Sequence, residues 1–221
     1  MKVLIACEFS GIVREAFRAK GHDAWSCDLL PAEDNGEFHF EQDVLEILYD
    51  DCWDMLIAHP PCTYLANSGV SWLHRREGRW QKMIEAAIFF RAMLCADIKK
   101  ICVENPIMHK YALEHIGEKH SQTIQPYQFG EDASKRTCLW LKGLPLLKPT
   151  GWADWKHYRC RCGAIFEAEL GKYGCCDWPA KPLWSNQTKS GQNKLPPSKD
   201  RAKLRSKTYP GIAKAMADQW G

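Results

Sequence analysis

No apolar run in this 221-residue chain reaches the roughly 20 residues that a membrane-crossing helix needs. A membrane-spanning helix is therefore not expected. The first apolar stretch, Val3-Leu4-Ile5-Ala6, is too short for a secretory signal core, and Glu8 follows it closely. Strong charge of either sign is also lacking: the formal net charge of +3 permits a nucleic-acid partner without arguing for one. Internal repeats and extended low-complexity tracts are missing, which leaves out solenoids and arrays. Glycine is scarce where a nucleotide-binding loop would use it, with Gly11 alone between the first apolar run and the first helical pattern. What remains, at 45% hydrophobic content, is one globular domain with a small appendage.

Cysteine, by contrast, is plentiful, with eleven residues. In a chain with no export signal these read as reduced thiols, a nucleophile and metal ligands rather than disulfides. The expected compartment is the cytoplasm.

Short apolar runs of strand length occupy 2–7, 24–27, 54–58 and 101–103, and 138–141 begins a late strand. Between them, 12–20, 79–96 and 107–115 carry apolar residues at helical spacing, with Gly21 stopping the first. This alternation predicts an α/β fold: a doubly wound, mostly parallel sheet with helices on both faces. After Leu147 the composition changes. The expected organisation is a catalytic domain over 1–148, a Cys-rich insert over 149–184 and a basic linker over 185–207. A C-terminal helix over 208–221 would pack back through Ile212, Ala213, Met216 and Ala217.

Ligands of open α/β sheets bind beyond the carboxyl ends of the strands. Asp28, Cys62 and Glu104 all follow strand ends, so they are expected to share one site. Pro60-Pro61 can continue neither sheet nor helix and stiffens the chain just before Cys62. A thiol held there suits attack, although an ordinary buried cysteine is the plainer alternative. Glu104-Asn105-Pro106 repeats the layout with a carboxylate. Together they offer what covalent attack with acid assistance requires. Cys7-Glu8-Phe9-Ser10-Gly11 forms a strand-to-helix turn suited to a nucleotide-like cofactor. Asp28 suits a pair of ribose hydroxyls; Asp43 suits either an adenine amino group or a helix N-cap.

Phe9 and Gly11, Asp28, Pro60-Pro61-Cys62, Glu104-Asn105, the loop from Phe129-Gly130 to Lys135-Arg136-Thr137, and the closing Thr208-Tyr209-Pro210-Gly211 occur in one order along the chain. In that order they resemble the DNA (cytosine-5)-methyltransferase family, in a short, phage-like form. The resemblance covers most of 2–141 and the tail. It implies an enzyme with the S-adenosylmethionine-dependent methyltransferase type of fold, transferring a methyl group from that cofactor to C5 of cytosine in DNA.

The roles it implies are specific. Cys62 adds to C6 of the ring; Glu104 holds N3 and the exocyclic amine; Arg136 anchors the base or the thiolate. Phe9, Ser10, Gly11, Asp28, Asp43 and Pro60 bind the cofactor. The target cytosine must leave the duplex stack to reach such a site. This chain departs from the family at its single-glycine first turn, at Pro106, and at Lys135-Arg136, which stand where relatives have Gln-x-Arg-x-Arg. Two other readings use the same residues: the same chemistry on a free pyrimidine nucleotide such as dCMP, or a non-catalytic DNA-binding relative that has lost the cofactor.

Cys160-Arg161-Cys162 and Cys175-Cys176, with His157 as an alternative ligand, have the layout of a small zinc ribbon with Zn²⁺ held by four thiolates. The spacing within each pair is tighter than customary, and a reduced hydrophobic cluster is the competing reading. Arg159, Arg161, Lys172 and the nearby tryptophans suit either DNA contact or the mini-core of the ribbon. From Lys181 to Lys207 the only acid is Asp200, against Lys189, Lys194, Lys199, Arg201, Lys203 and Arg205 as well. Such a stretch is a phosphate-binding patch or a solvated linker.

Overall fold

The computed structural model describes residues 1–49, 53–154, 156–162, 164–167, 180–190 and 192–221. The apolar runs become the centre of a sheet. β1 (Lys2–Ala6) is buried from Val3 onward and leads through a turn into α1 (Ile12–Arg18). β2 (Asp23–Asp28) returns parallel beside it, followed by β3 (His39–Glu41) and α2 (Val44–Ile47). β4 (Met55–Ala58), all buried, lies parallel to β1 on its other side. A 3-10 stretch over Asn67–His74 then leads to α3 (Arg79–Leu94) and β5 (Lys100–Asn105), parallel to β4. Next come α4 (Lys110–Ile116), β6 (Gln122–Ile124), a 3-10 turn over Pro126–Gln128 and β7 (Thr137–Lys142). The seven strands order as β3-β2-β1-β4-β5-β7-β6. β7 runs antiparallel to both its neighbours.

β8 (His157–Arg159), β9 (Ile165–Glu167) and β10 (Lys181–Leu183) pair with one another as a separate antiparallel sheet, β10-β8-β9. α5 (Arg201–Ser206) buries no residue, whereas α6 (Pro210–Trp220) buries Ile212, Ala213, Ala215, Met216, Ala217 and Trp220. Each large buried apolar side chain is worth about 1.5–3 kcal/mol. Packing, more than intrinsic propensity, therefore holds so short a helix in place.

Alternate side chains along a strand point to opposite faces of the sheet. Leu4 and Ala6 of β1 join Leu56, Ala58, Val103 and Trp140 in a core under α3 and α4. Val3 and Ile5 join Ile57 and Leu139 in a second core with Phe17 of α1 and Met216 and Trp220 of α6. The result is a mostly parallel seven-stranded sheet with helices on both faces, the α/β class expected from the sequence. Among the described residues, no helix is long and apolar enough to cross a membrane.

The start of α6 lies against the loop after β6. A Cβ at Gly211 would collide with the Phe129 carbonyl oxygen, and the Gly211 amide donates to Glu131 Oε1 at 2.8 Å. β3, α2 and β6, three or four residues each, lie outside the runs expected from sequence. The stretch 185–207, expected as a linker, contains α5 and is tied to the first domain at its start.

Candidate active site

Parallel β1, β2, β4 and β5 end at one edge of the sheet, and antiparallel β7 begins there. Glu8, Asp28, His59, Glu104 and Lys135 thus converge from separate parts of the chain. The topology supplies what sequence distance conceals.

The loop after β4 is fixed from several directions. Asn105 Nδ2 donates to the Pro60 carbonyl at 2.8 Å. His109 Nδ1 accepts the Ala112 amide at 3.1 Å, capping α4, so its Nε2 carries the hydrogen that meets the Tyr64 carbonyl at 3.0 Å. Arg79 donates to the Thr63 carbonyl at 2.8 Å and lies 4.4 Å over the Tyr64 ring. The Leu65 and Ala66 amides close a turn on the Cys62 carbonyl. Cys62 stands exposed on this rigid loop. Desolvation by the flanking protein, then the charge of Glu104, raise its thiol pKa, while Lys135 and Arg205 pull the other way.

Glu104 is buried and its Oε2 lies 3.0 Å from His59 Nδ1. Burial alone would raise its pKa. The Lys135 charge, then the His59 hydrogen bond, overcome that and lower it. The resting group is therefore a carboxylate. Arg136, expected to be the cation of the site, is exposed, and its charge acts on Cys138. Its neighbour Lys135 is the cation whose field reaches both Glu104 and Cys62.

On the other side of His59 lies the turn after β1. Cys7 adopts a left-handed φ of 57°, a strained conformation for a non-glycine residue, and this bend carries Glu8 beneath α1. Glu8 is buried and accepts the Val13 amide at 2.7 Å, the Arg14 amide at 3.2 Å and the Ser10 hydroxyl at 3.3 Å. Its carboxylate occupies the anion-favouring start of α1. A cofactor phosphate would meet repulsion here. Gly11, at φ 71°, makes the turn into the helix, with Arg14 packed so closely that a Cβ would meet its guanidinium.

Phe9 is buried, with the Lys203 ammonium 4.9 Å over its ring. Asp28 is half-buried at the end of β2; burial raises its pKa against hydrogen bonds from the Leu30 and Leu29 amides. Asp43 accepts the Leu45 amide at 3.0 Å as the N-cap of α2, the plainer of the two roles considered for it.

Two open depressions flank His59. One, of about 260 Å³, is lined by His59, Glu104, Lys135, Thr137, Thr208 and Tyr209 among others. The second, of about 200 Å³, is lined by Cys7, Glu8, Phe9, Ser10, His59 and Lys207 among others. The junction of α5 and α6 covers both. Lys207 and Lys203 pair with Glu33 at 2.6 and 3.6 Å, and the Lys207 carbonyl accepts from the Lys135 ammonium at 3.4 Å. The Lys135 loop is gripped by Asn186, whose Oδ1 accepts the Ser134 amide at 3.1 Å. Its Nδ2 donates to the Ser134 carbonyl at 3.0 Å and to the Tyr209 hydroxyl at 3.2 Å.

Sequence reasoning passed over Glu8, His59, Lys135 and Asn186 as site residues. A usable signal existed for two of them: an acid in a strand-to-helix turn, and a polar residue directly after a wholly apolar strand. Cys160 and Cys162 flank the turn between β8 and β9, where the Cys160 amide donates to the Ala164 carbonyl at 2.8 Å. Two thiols on one hairpin suit half of a tetrahedral zinc site. Cys175 and Cys176 lie outside the described residues, and no group of three or more metal-binding side chains occurs among the described residues.

No protein-family model matches this chain, and no curated protein matches it. Among solved structures, it is similar to a candidate DNA modification methyltransferase encoded within an E. coli prophage. That similarity has a TM-score of 0.46 and 15% identity over 69% of this chain and 52% of the other. The chain spans about half the length of that protein, and nothing about its activity is taken from so distant a likeness.

Proposed function

We propose that this protein transfers a methyl group from S-adenosylmethionine to C5 of cytosine in DNA, with Cys62 as a covalent nucleophile at C6. The observation that carries the reading is the meeting of an exposed thiol on a braced loop with a buried, ionised Glu104 and the Lys135 ammonium at one sheet edge. C5 of cytosine is a poor nucleophile until something adds to C6, and a sulfur anion is soft enough to add there and later to leave. The raised pKa keeps the resting Cys62 protonated. Lys135 and Arg205 oppose that effect.

Glu104 first accepts from the exocyclic amine. The proton released by the Cys62 thiol then passes through Glu104 to N3, which addition at C6 makes basic. Lys135 adds its field beside Arg136, which keeps the anchoring role that the family resemblance implies. Phe9 and Ser10, which line the depression beside the turn after β1, would hold the cofactor together with Gly11, Asp28, Asp43 and Pro60. When bound, S-adenosylmethionine supplies an electrophilic methyl group on a positively charged sulfur. The reading includes a flipped-out cytosine, and it includes zinc in the 149–184 insert, with Cys160, Cys162, Cys175 and Cys176 as ligands.

Labelled S-adenosylmethionine offered with DNA and with dCMP tests the reaction and its substrate together. Label at C5 of cytosine in DNA is the expected result; label only in dCMP moves the substrate to the free nucleotide. DNA carrying 5-fluorocytosine should trap wild type through Cys62, and Cys62→Ser should bind cofactor normally yet neither trap nor turn over. No cofactor binding at all would leave a non-catalytic DNA-binding protein.

A further inference from the structure

The His59 side chain is only 6% exposed, and its Nδ1 is committed to Glu104 at 3.0 Å. Its Nε2 is buried with no hydrogen-bond partner among the described residues. A buried ring nitrogen left unpaired costs about 1–3 kcal/mol, so its retention calls for a ligand. Donation from Nδ1–H to a carboxylate fixes the tautomer in which Nε2 keeps its lone pair. Charged and titratable groups face this ring from several elements: Glu104 on β5, Lys135 before β7, Glu8 after β1, and Lys207 and Tyr209 around the α5–α6 junction. His59 also borders both depressions, the one holding Glu104 and Lys135 and the one formed by the turn after β1. In the proposed reaction these receive the target base and the cofactor, so His59 stands where the two meet.

Resting on that reading, we infer that His59 Nε2 is the base that removes the C5 proton after methyl transfer. At that stage C5 carries both the new methyl group and its original hydrogen. The C5–H bond breaks toward the Nε2 lone pair, and its electrons form the C5–C6 double bond. As that double bond forms, the C6–Sγ bond breaks, its electrons leaving on Cys62 as a thiolate, and N3 returns its proton to Glu104. His59 becomes an imidazolium hydrogen-bonded to the residue that oriented it.

His59→Asn tests this, because the Asn amide can still donate to Glu104 while the second ring nitrogen is gone. With 5-fluorocytosine DNA the variant should form the Cys62 adduct as wild type does, and its affinity for S-adenosylmethionine should be unchanged. With ordinary cytosine DNA and labelled cofactor it should accumulate a covalent protein–DNA species that already carries the methyl label. Free methylated product should appear about 100-fold more slowly or worse. In His59→Ala, added imidazole should speed product release.

Near-normal turnover in His59→Asn would overturn the assignment. So would loss of adduct formation, which would make His59 a positioning residue for Glu104, or loss of cofactor binding, which would make it a cofactor contact. Failure of imidazole to speed release in His59→Ala also counts against it. If wild type itself forms no adduct, the fault lies in the proposed function and not in this base.

Discussion

Lys135 and Arg136 are adjacent and both cationic, yet their charges act on different groups, Lys135 on Glu104 and Cys62 and Arg136 on Cys138. Burial could not tell them apart from sequence, since Thr137, Cys138, Leu139 and Trp140 are all buried and no alternation is visible. Cys62 and Glu104 were legible because each follows a wholly apolar run with proline at the turn. His59 was passed over because its partner is 45 residues away.

Glu104→Gln should slow methyl transfer by about two orders of magnitude or more while sparing cofactor affinity. It should also change the response to acid. The folded-state pKa of Glu104 lies below its ordinary value of 4.5, so its ionised form contributes stability above that value. The contribution is lost as pH falls through the folded pKa. Wild type should therefore lose more stability than Glu104→Gln between roughly pH 6 and pH 3, as measured by urea midpoints across that range. Asp28 works in the opposite direction. Its raised pKa makes its charge a cost above the ordinary range, so Asp28→Asn should be neutral or stabilising at pH 7 while weakening cofactor binding.

At the scale of elements, the long amphipathic helices and central strands were readable from periodicity. β3, α2 and β6 were not, because three or four residues carry too little pattern and are fixed by the strands they pair with. Two joints between elements have measurable consequences. Glu8 fills the start of α1 in place of a conventional cap, so Glu8→Ala should lower stability by about 1–2 kcal/mol in chemical denaturation, as loss of a cap does. Gly211 lets α6 begin against the Phe129 carbonyl, and Gly211→Ala forces the two apart. A loss of about 1–3 kcal/mol is expected, as for an overpacked contact. An unchanged denaturation midpoint would mean that α6 can start elsewhere without penalty.

Across the whole molecule, the basic stretch that the sequence offered to DNA proves to be divided. Lys199 is exposed, whereas Lys203 and Lys207 already pair with Glu33 above the turn after β1. DNA binding should weaken steeply with salt, and Lys199→Ala should reduce the slope of log affinity against log salt by about one. Lys207→Ala should reduce it less, because a phosphate must first compete with Glu33. That division was invisible in the sequence, where Glu33 is remote from both lysines.

Asn186 adds a linkage of another kind. It follows directly on Trp184 and Ser185, which close the insert: the Trp184 ring stacks on Tyr127 at 4.5 Å and Ser185 bonds to Asp132. Asn186 itself grips the backbone next to Lys135. Asn186 thus links the end of the insert to the backbone beside the ammonium that tempers both Glu104 and Cys62. A protein shortened by residues 149–184 should lose more than grip on its substrate. Its thiol would become less acidic, and a cysteine-directed alkylating reagent, with no DNA present, would report that loss as slower labelling of Cys62.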